Sequence, residues 1–264
     1  MNGKLSQEFF EDLFYNKLIT GTNTTAERKY TLDVLGKNLE EKLRNKSNKS
    51  KIYLHIPNRN KGWVYFDMNK EGKKGGKSKD TPKKHPHITL SINEEGIDFF
   101  VNLENKKLIE SIWIDKKNKD KIIKNLKKIS EFSRNLNEKN NKEKKRKGEE
   151  VEEPKYYFSY RNVDAEGQGK STKEILATDI NLNFQYKKSG KKKEYRGKKF
   201  KTIWEKRKKV LENIKPDQKL SIHCKIPASA IIKKDSMPKQ AKLVLDNGKP
   251  IINLYELIWK IWSK

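Results

Sequence analysis

The chain has 264 residues, 33% of them hydrophobic and 37% charged, and its 62 Lys+Arg against 35 Asp+Glu leave a formal net charge of +27. A globular domain usually carries roughly 45–50% apolar and about 25% charged residues, so this chain is poor in core-forming residues and rich in cations. Composition excludes a helical membrane span, which needs ~18 consecutive apolar residues; no signal-peptide apolar stretch follows Met1; and the lone Cys224 excludes a disulfide framework and a Cys-rich zinc site.

In chain order, Phe9, Phe10, Leu13, Phe14 and Leu18 recur at helical spacing behind Ser6 as N-cap. Thr24-Thr25-Ala26-Glu27 has capping-box spacing, and Leu32, Leu35, Leu39 and Leu43 follow as one stripe of a second helix. Four strands come next. Ile52, Leu54 and Ile56 alternate with Tyr53 and His55; Val64, Phe66 and Met68 alternate with Trp63, Tyr65 and Asp67. Ile88, Leu90 and Ile92 face inward on the third, and Glu94-Glu95-Gly96 turns it into Ile97–Leu103 as an antiparallel hairpin. A third helix is expected over Lys119–Leu136, with Ile122, Leu126, Ile129 and Leu136 on one side. Residues 137–154, a basic block followed by Glu149, Glu150, Glu152 and Glu153, are expected to be a linker or surface loop.

In the second half, Tyr156–Val163 reads as a strand, and Ile180, Leu182, Phe184 and Tyr186 alternate with polar residues as another. An amphipathic helix is expected from Phe200 to Ile214 through Ile203, Trp204, Val210 and Leu211. Leu220, Ile222, Cys224 and Ile226 form a further strand face. Leu243–Leu245 is read as leading into a turn at Asp246-Asn247-Gly248, with Asn253 capping a last helix. The fold expected is α+β, antiparallel sheets flanked by amphipathic helices. Its candidate subdomains are 1–136 and 155–264, divided at 137–154.

Two segments concentrate the charge. Residues 68–84 carry seven Lys, among them Lys73, Lys74, Lys77, Lys79, Lys83 and Lys84, against Glu71 and Asp80. Residues 187–209 carry thirteen Lys+Arg against Glu194 and Glu205; Lys191, Lys192, Lys193, Tyr195, Arg196, Lys198 and Lys199 lie here in a hairpin-like arm. A charge this large opposes compaction by self-repulsion, and a bound polyanion offsets it. The expectation is a cytoplasmic protein that binds DNA or RNA, the lysines meeting phosphates. Tyr53, His55, Trp63 and Tyr65 share one strand face and are candidates for stacking on unpaired bases.

Other constellations carry chemistry. A metal-dependent nuclease of a restriction, defence or RNA-processing system needs an Asp and an acid-x-Lys triplet sharing Mg2+; Glu104-Asn105-Lys106 with Asp98 or Asp67 has those residue types. Pro86-His87-Ile88-Thr89-Leu90 resembles the His-x-Thr motif of the two-histidine phosphoesterases, which would make His87 an acid or base. The second motif of that family is missing, since His55-Ile56-Pro57 and His223-Cys224-Lys225 lack the hydroxyl residue. Gly167-Gln168-Gly169-Lys170-Ser171 resembles part of a phosphate-binding loop but has Asp164 where the first Gly belongs. No metal-ligand set stands out. Tyr255, Trp259 and Trp262 on the last helix are candidate anchors for a protein partner or a second copy, which gives an adaptor as the remaining reading.

Overall fold

The computed structural model describes residues 4–10, 34–46, 52–55, 63–68, 85–103, 109–147, 152–162, 178–179, 186–188, 191–193 and 218–264. Among them the fold is α+β. Seven antiparallel strands form one sheet: β1 (Tyr53–His55), β2 (Trp63–Asp67), β3 (His87–Asn93), β4 (Gly96–Leu103), β5 (Lys155–Asn162), β6 (Thr178–Asp179) and β9 (Gln218–Pro227). Their spatial order is β1-β2-β3-β4-β9-β5-β6, so strands from both halves of the chain share it. A separate two-stranded ribbon consists of β7 (Tyr186–Lys188) and β8 (Lys191–Lys193). The α-helices in the element order are α1 (Gly36–Lys46), α2 (Lys116–Lys147), α3 (Ala228–Ile232) and α4 (Met237–Trp262), and a π-helical turn, Ile109–Ile114, precedes α2. None of the described helices is long and apolar enough to cross a membrane.

The β3–β4 hairpin forms where the alternation places it. Asn93 pairs with Gly96 across Glu94 and Glu95, and the Asn93 side chain accepts from the Glu95 amide at 3.0 Å. Gly96 is required there. Its φ is 134°, and a Cβ would lie 2.1 Å from the Ile226 carbonyl oxygen.

Registers give the sheet two faces of different chemistry. Val64, Leu90, Phe99, Cys224 and Tyr156 form one cross-strand row, and Phe66, Ile88, Val101 and Ile222 the next; none of these side chains is exposed. This is the core face, and α4 lies over it. Gly248 sits against the Phe99 ring, the Tyr156 hydroxyl donates to the Asn247 carbonyl at 2.8 Å, and the Met68 amide donates to the Tyr255 hydroxyl at 2.9 Å. Of the expected stripe, Leu39 and Leu43 on α1 and Leu35 just before it are buried. Buried Gln240 ties the N-terminal segment down, accepting from the Leu5 amide at 2.9 Å and donating to the Leu5 carbonyl at 3.0 Å. Ser6 caps as expected, accepting from the Phe9 amide at 3.2 Å.

Two local expectations are corrected. The expected linker is helical as far as Lys147, since α2 continues past Leu136; its Lys, Glu and Asn side chains tolerate helix as well as coil. Asp246-Asn247-Gly248 is no turn, and no strand precedes it: α4 runs through it and through Pro250. Burial of Val244, Leu245, Ile251 and Leu254 on the core outweighs the local turn propensity, and the Asn247 side chain satisfies the Leu243 carbonyl at 2.9 Å. Residues 180–185, the helix expected over 200–214, and 11–33 lie outside the described residues.

Candidate nucleic-acid interface

The strongest cationic feature among the described residues is on α2. Its buried side is built from Ile122, Leu126, Ile129 and Ser133, positions that recur with the helical repeat. Lys117, Lys121, Lys124 and Lys128 recur at spacings of four, three and four, and all four are exposed. At 3.6 residues per turn they fall within an arc of about 60°, directly opposite the buried side, over ~17 Å of helix.

This stripe works against the isolated helix. Each successive pair is a like-charge i,i+3 or i,i+4 contact, costing roughly 0.2–0.5 kcal/mol, so about 1 kcal/mol over three pairs. A merely solvated helix face usually interleaves Glu with Lys, which turns the same contacts favourable. Here Asp120 and Glu131 stand a helical turn from Lys117, Lys124 and Lys128, yet none of the four lysines pairs with a carboxylate among the described residues. By contrast, Lys239 and Lys242 on α4 each pair with an Asp four residues away, Asp235 and Asp246.

The ribbon is the second basic element. Tyr186 pairs with Lys193, Lys187 with Lys192 and Lys188 with Lys191, so five of its six paired positions are lysine. The hairpin-like arm expected around Lys191, Lys192 and Lys193 is therefore a ribbon at its base. Tyr195, Arg196, Lys198 and Lys199 lie outside the described residues, as do Lys73, Lys74, Lys77, Lys79, Lys83 and Lys84 and the Gly167–Ser171 segment.

The second face of the sheet is polar and aromatic. One row consists of His87, Asn102 and Ser221, the next of Tyr65, Thr89, Phe100, His223 and Tyr157, and the next of Ser91, Asp98, Lys225 and Lys155. Ser221 donates to the Asn102 side-chain oxygen at 2.5 Å, and the Asn102 amide donates to Thr89 at 3.2 Å. His87 Nδ1 lies 3.2 Å from the His85 carbonyl, which can only accept, so the ring carries its proton on Nδ1. His223 is sandwiched between Phe100 and Tyr157, with ring centroids 4.5 and 4.4 Å away. Asp98 holds it through Nδ1.

His55 lies opposite Tyr65, and Tyr53 and Trp63 fall on the same face by alternation, as the sequence predicts. Tyr53 and Tyr65 are 7% and 3% exposed, so neither ring is open to a base in this arrangement. Asp67 and Asp98 are not brought together. Asp98 is opposite Ser91, whose partner on β2 is Trp63, four residues from Asp67, and Asp67 instead pairs with buried His85 at 2.6 Å. Glu104 and Lys106 lie outside the described residues. Among the described residues no three His, Cys, Asp or Glu side chains converge as a metal site.

On α4, Tyr255 is wholly buried, so it belongs to the core and is no partner anchor; burial drives its phenol well above the usual range. Trp259 is half-buried against the His85 ring, and Trp262, also beside His85, is 36% exposed. Burial raises the Tyr156 and Cys224 hydroxyl and thiol far above their ordinary values, which keeps both neutral.

Reading by motif missed the α2 stripe, although its signal was in the sequence. The lysine spacing is the complement of the Ile122–Leu126–Ile129 spacing on the same helical wheel. It becomes visible once the helix is extended upstream to Lys116. The His223–Asp98 pair had no local signal, because the two residues are 125 apart and meet only through the β4–β9 register. In comparisons with known proteins, no family model, curated protein or solved structure matches this chain.

Proposed function

We propose that this protein binds nucleic acid through its phosphate backbone, with the exposed lysine line of α2 as the principal contact. The observation that carries this reading is Lys117, Lys121, Lys124 and Lys128, aligned opposite the buried side of one helix and paired with no carboxylate among the described residues, although Asp120 and Glu131 flank the line. Lysines spaced by a helical turn repel one another until an anion with repeating charge lies along them, and a nucleic-acid backbone is such an anion. The net charge of +27 supports the same reading, because a bound polyanion relieves the self-repulsion of the whole chain.

The test is equilibrium binding to labelled DNA and RNA at several salt concentrations, for the wild type and for a variant with Lys117, Lys121, Lys124 and Lys128 all changed to Gln. Each lysine–phosphate contact contributes about 0.9 to the slope of log affinity against log salt. The variant is expected to bind more weakly, with a slope shallower by about three to four. An unchanged affinity and slope would remove α2 from the interface. Failure of the wild type to bind any of the polymers at low salt would overturn the function.

A further inference from the structure

The flanks of the α2 lysine line bear on which form of nucleic acid is bound, an inference that rests on the reading above. At 3.6 residues per turn, Asp120 and Glu131 fall about 50–70° to one side of the line through Lys117, Lys121, Lys124 and Lys128, with exposed Lys127 further round. Asn125 and Phe132 fall about 50–70° to the other side. One flank therefore mixes acid with base, while the other carries an uncharged amide and an aromatic ring. Phe132 comes one turn after Lys128 and is 37% exposed. It meets the buried Tyr156 ring in a T-shaped contact, centroids 5.9 Å apart and planes 86° apart, and the Tyr156 hydroxyl is itself held by the Asn247 carbonyl. The Phe132 ring is thus positioned by the core and partly open to solvent.

A single exposed apolar side chain is ordinary on a protein surface; the place of this one gives it a use. A strand whose phosphates follow the lysine line turns its bases to one side of it. On the Asn125–Phe132 side an unpaired base finds a ring to stack on and an amide able to donate and accept at its edge. A duplex offers that ring no base face, because its bases are stacked on one another inside. Insertion of α2 into a duplex groove is disfavoured in another way: a second phosphate wall would stand against the Asp120–Glu131 flank, where the carboxylates repel it. We infer that the ligand is a single-stranded nucleic acid whose backbone follows the α2 lysines and one of whose bases stacks on Phe132.

The test uses the full chain and fluorescence anisotropy with single-stranded DNA, single-stranded RNA, both duplexes and an abasic single strand, all of one length. The wild type is expected to bind the two base-bearing single strands roughly tenfold more tightly than the duplexes or the abasic strand at matched salt. Phe132→Leu keeps an apolar side chain against Tyr156 and removes the stacking ring. It is expected to weaken single-strand binding roughly tenfold, with no change in salt slope, since stacking releases no counterions. Its affinity for the abasic strand should equal that of the wild type. Phe132→Trp, with a larger ring, is expected to bind base-bearing single strands at least as tightly as the wild type.

Full affinity of Phe132→Leu for base-bearing single strands would overturn stacking at this ring, as would an equal loss on the abasic strand, which marks a structural effect. Equal wild-type affinity for duplexes, with binding still dependent on the four lysines, would overturn the single-strand assignment and leave the nucleic-acid reading standing. Absence of wild-type binding to all the polymers would overturn that reading itself. Circular dichroism checks that each variant folds; if Phe132→Leu does not, the wild type decides alone, and equal affinity for abasic and base-bearing strands overturns the proposal.

Discussion

His223 and Asp98 stand side by side on the second face of the sheet, the imidazole Nδ1 2.8 Å from the carboxylate Oδ2. The same oxygen accepts from the Tyr157 hydroxyl at 3.0 Å, and Tyr157 also stacks on the imidazole with its ring plane 7° from parallel. One carboxylate oxygen thus holds two donors from two neighbouring strands. The other, Asp98 Oδ1, is buried with no hydrogen-bond partner. The pair fixes the imidazole proton on Nδ1 and locks β4, β9 and β5 in register on the face away from α4.

Asp98→Ala leaves the His223 Nδ1–H and the Tyr157 hydroxyl without that acceptor, which is expected to cost about 1–3 kcal/mol of stability. His223→Phe keeps the stack between Phe100 and Tyr157 and removes one donor, so it should cost less. Urea denaturation of both single variants and the double variant checks this. The combined loss should fall short of the sum by about 1 kcal/mol, and strictly additive losses would show that the two residues do not interact.

Gly248 lies in the middle of α4, where a Cβ would meet Phe99 Cδ1 and Cε1 at 2.7 and 2.8 Å. In an exposed helix, Gly→Ala stabilises by up to about 1 kcal/mol. Here the Phe99 ring is fully buried and cannot retreat, and overpacking of that kind costs about 1–3 kcal/mol. Gly248→Ala is therefore expected to lower the thermal midpoint, and adding Phe99→Leu should recover part of the loss. A midpoint raised by Gly248→Ala would show that α4 does not press on the sheet at this point.

Cys224 is wholly buried beside Tyr156, and burial raises its thiol far above the ordinary value. The thiolate is the reactive species. The thiol is expected to resist alkylation in the native protein at pH 8 and to react at the rate of an ordinary cysteine in denaturing guanidinium, which mass spectrometry of iodoacetamide-treated samples checks. Equal rates in both conditions would place Cys224 outside the core.

Much of this protein is written locally. Strand faces follow from a two-residue alternation, so the sequence by itself determined that Leu54, Val64, Phe66, Ile88, Leu90 and Ile222 turn inward, that Glu94-Glu95-Gly96 reverses the chain, and that Tyr53, His55, Trp63 and Tyr65 share a face. The alignment of Lys117, Lys121, Lys124 and Lys128 is local in the same sense, set by the helical repeat alone. Tertiary structure decided what depends on partners distant in the chain. It set β9 between β4 and β5, bringing His223 to Asp98, and it buried Tyr255 while leaving Trp262 at the surface. It also drew Asp246-Asn247-Gly248 into a helix against local propensity. The reason is one of magnitude: turn and helix preferences differ by under about 1 kcal/mol per residue, whereas each fully buried large apolar side chain contributes roughly 1.5–3 kcal/mol, and which side chains are buried together is settled only by the assembled sheet.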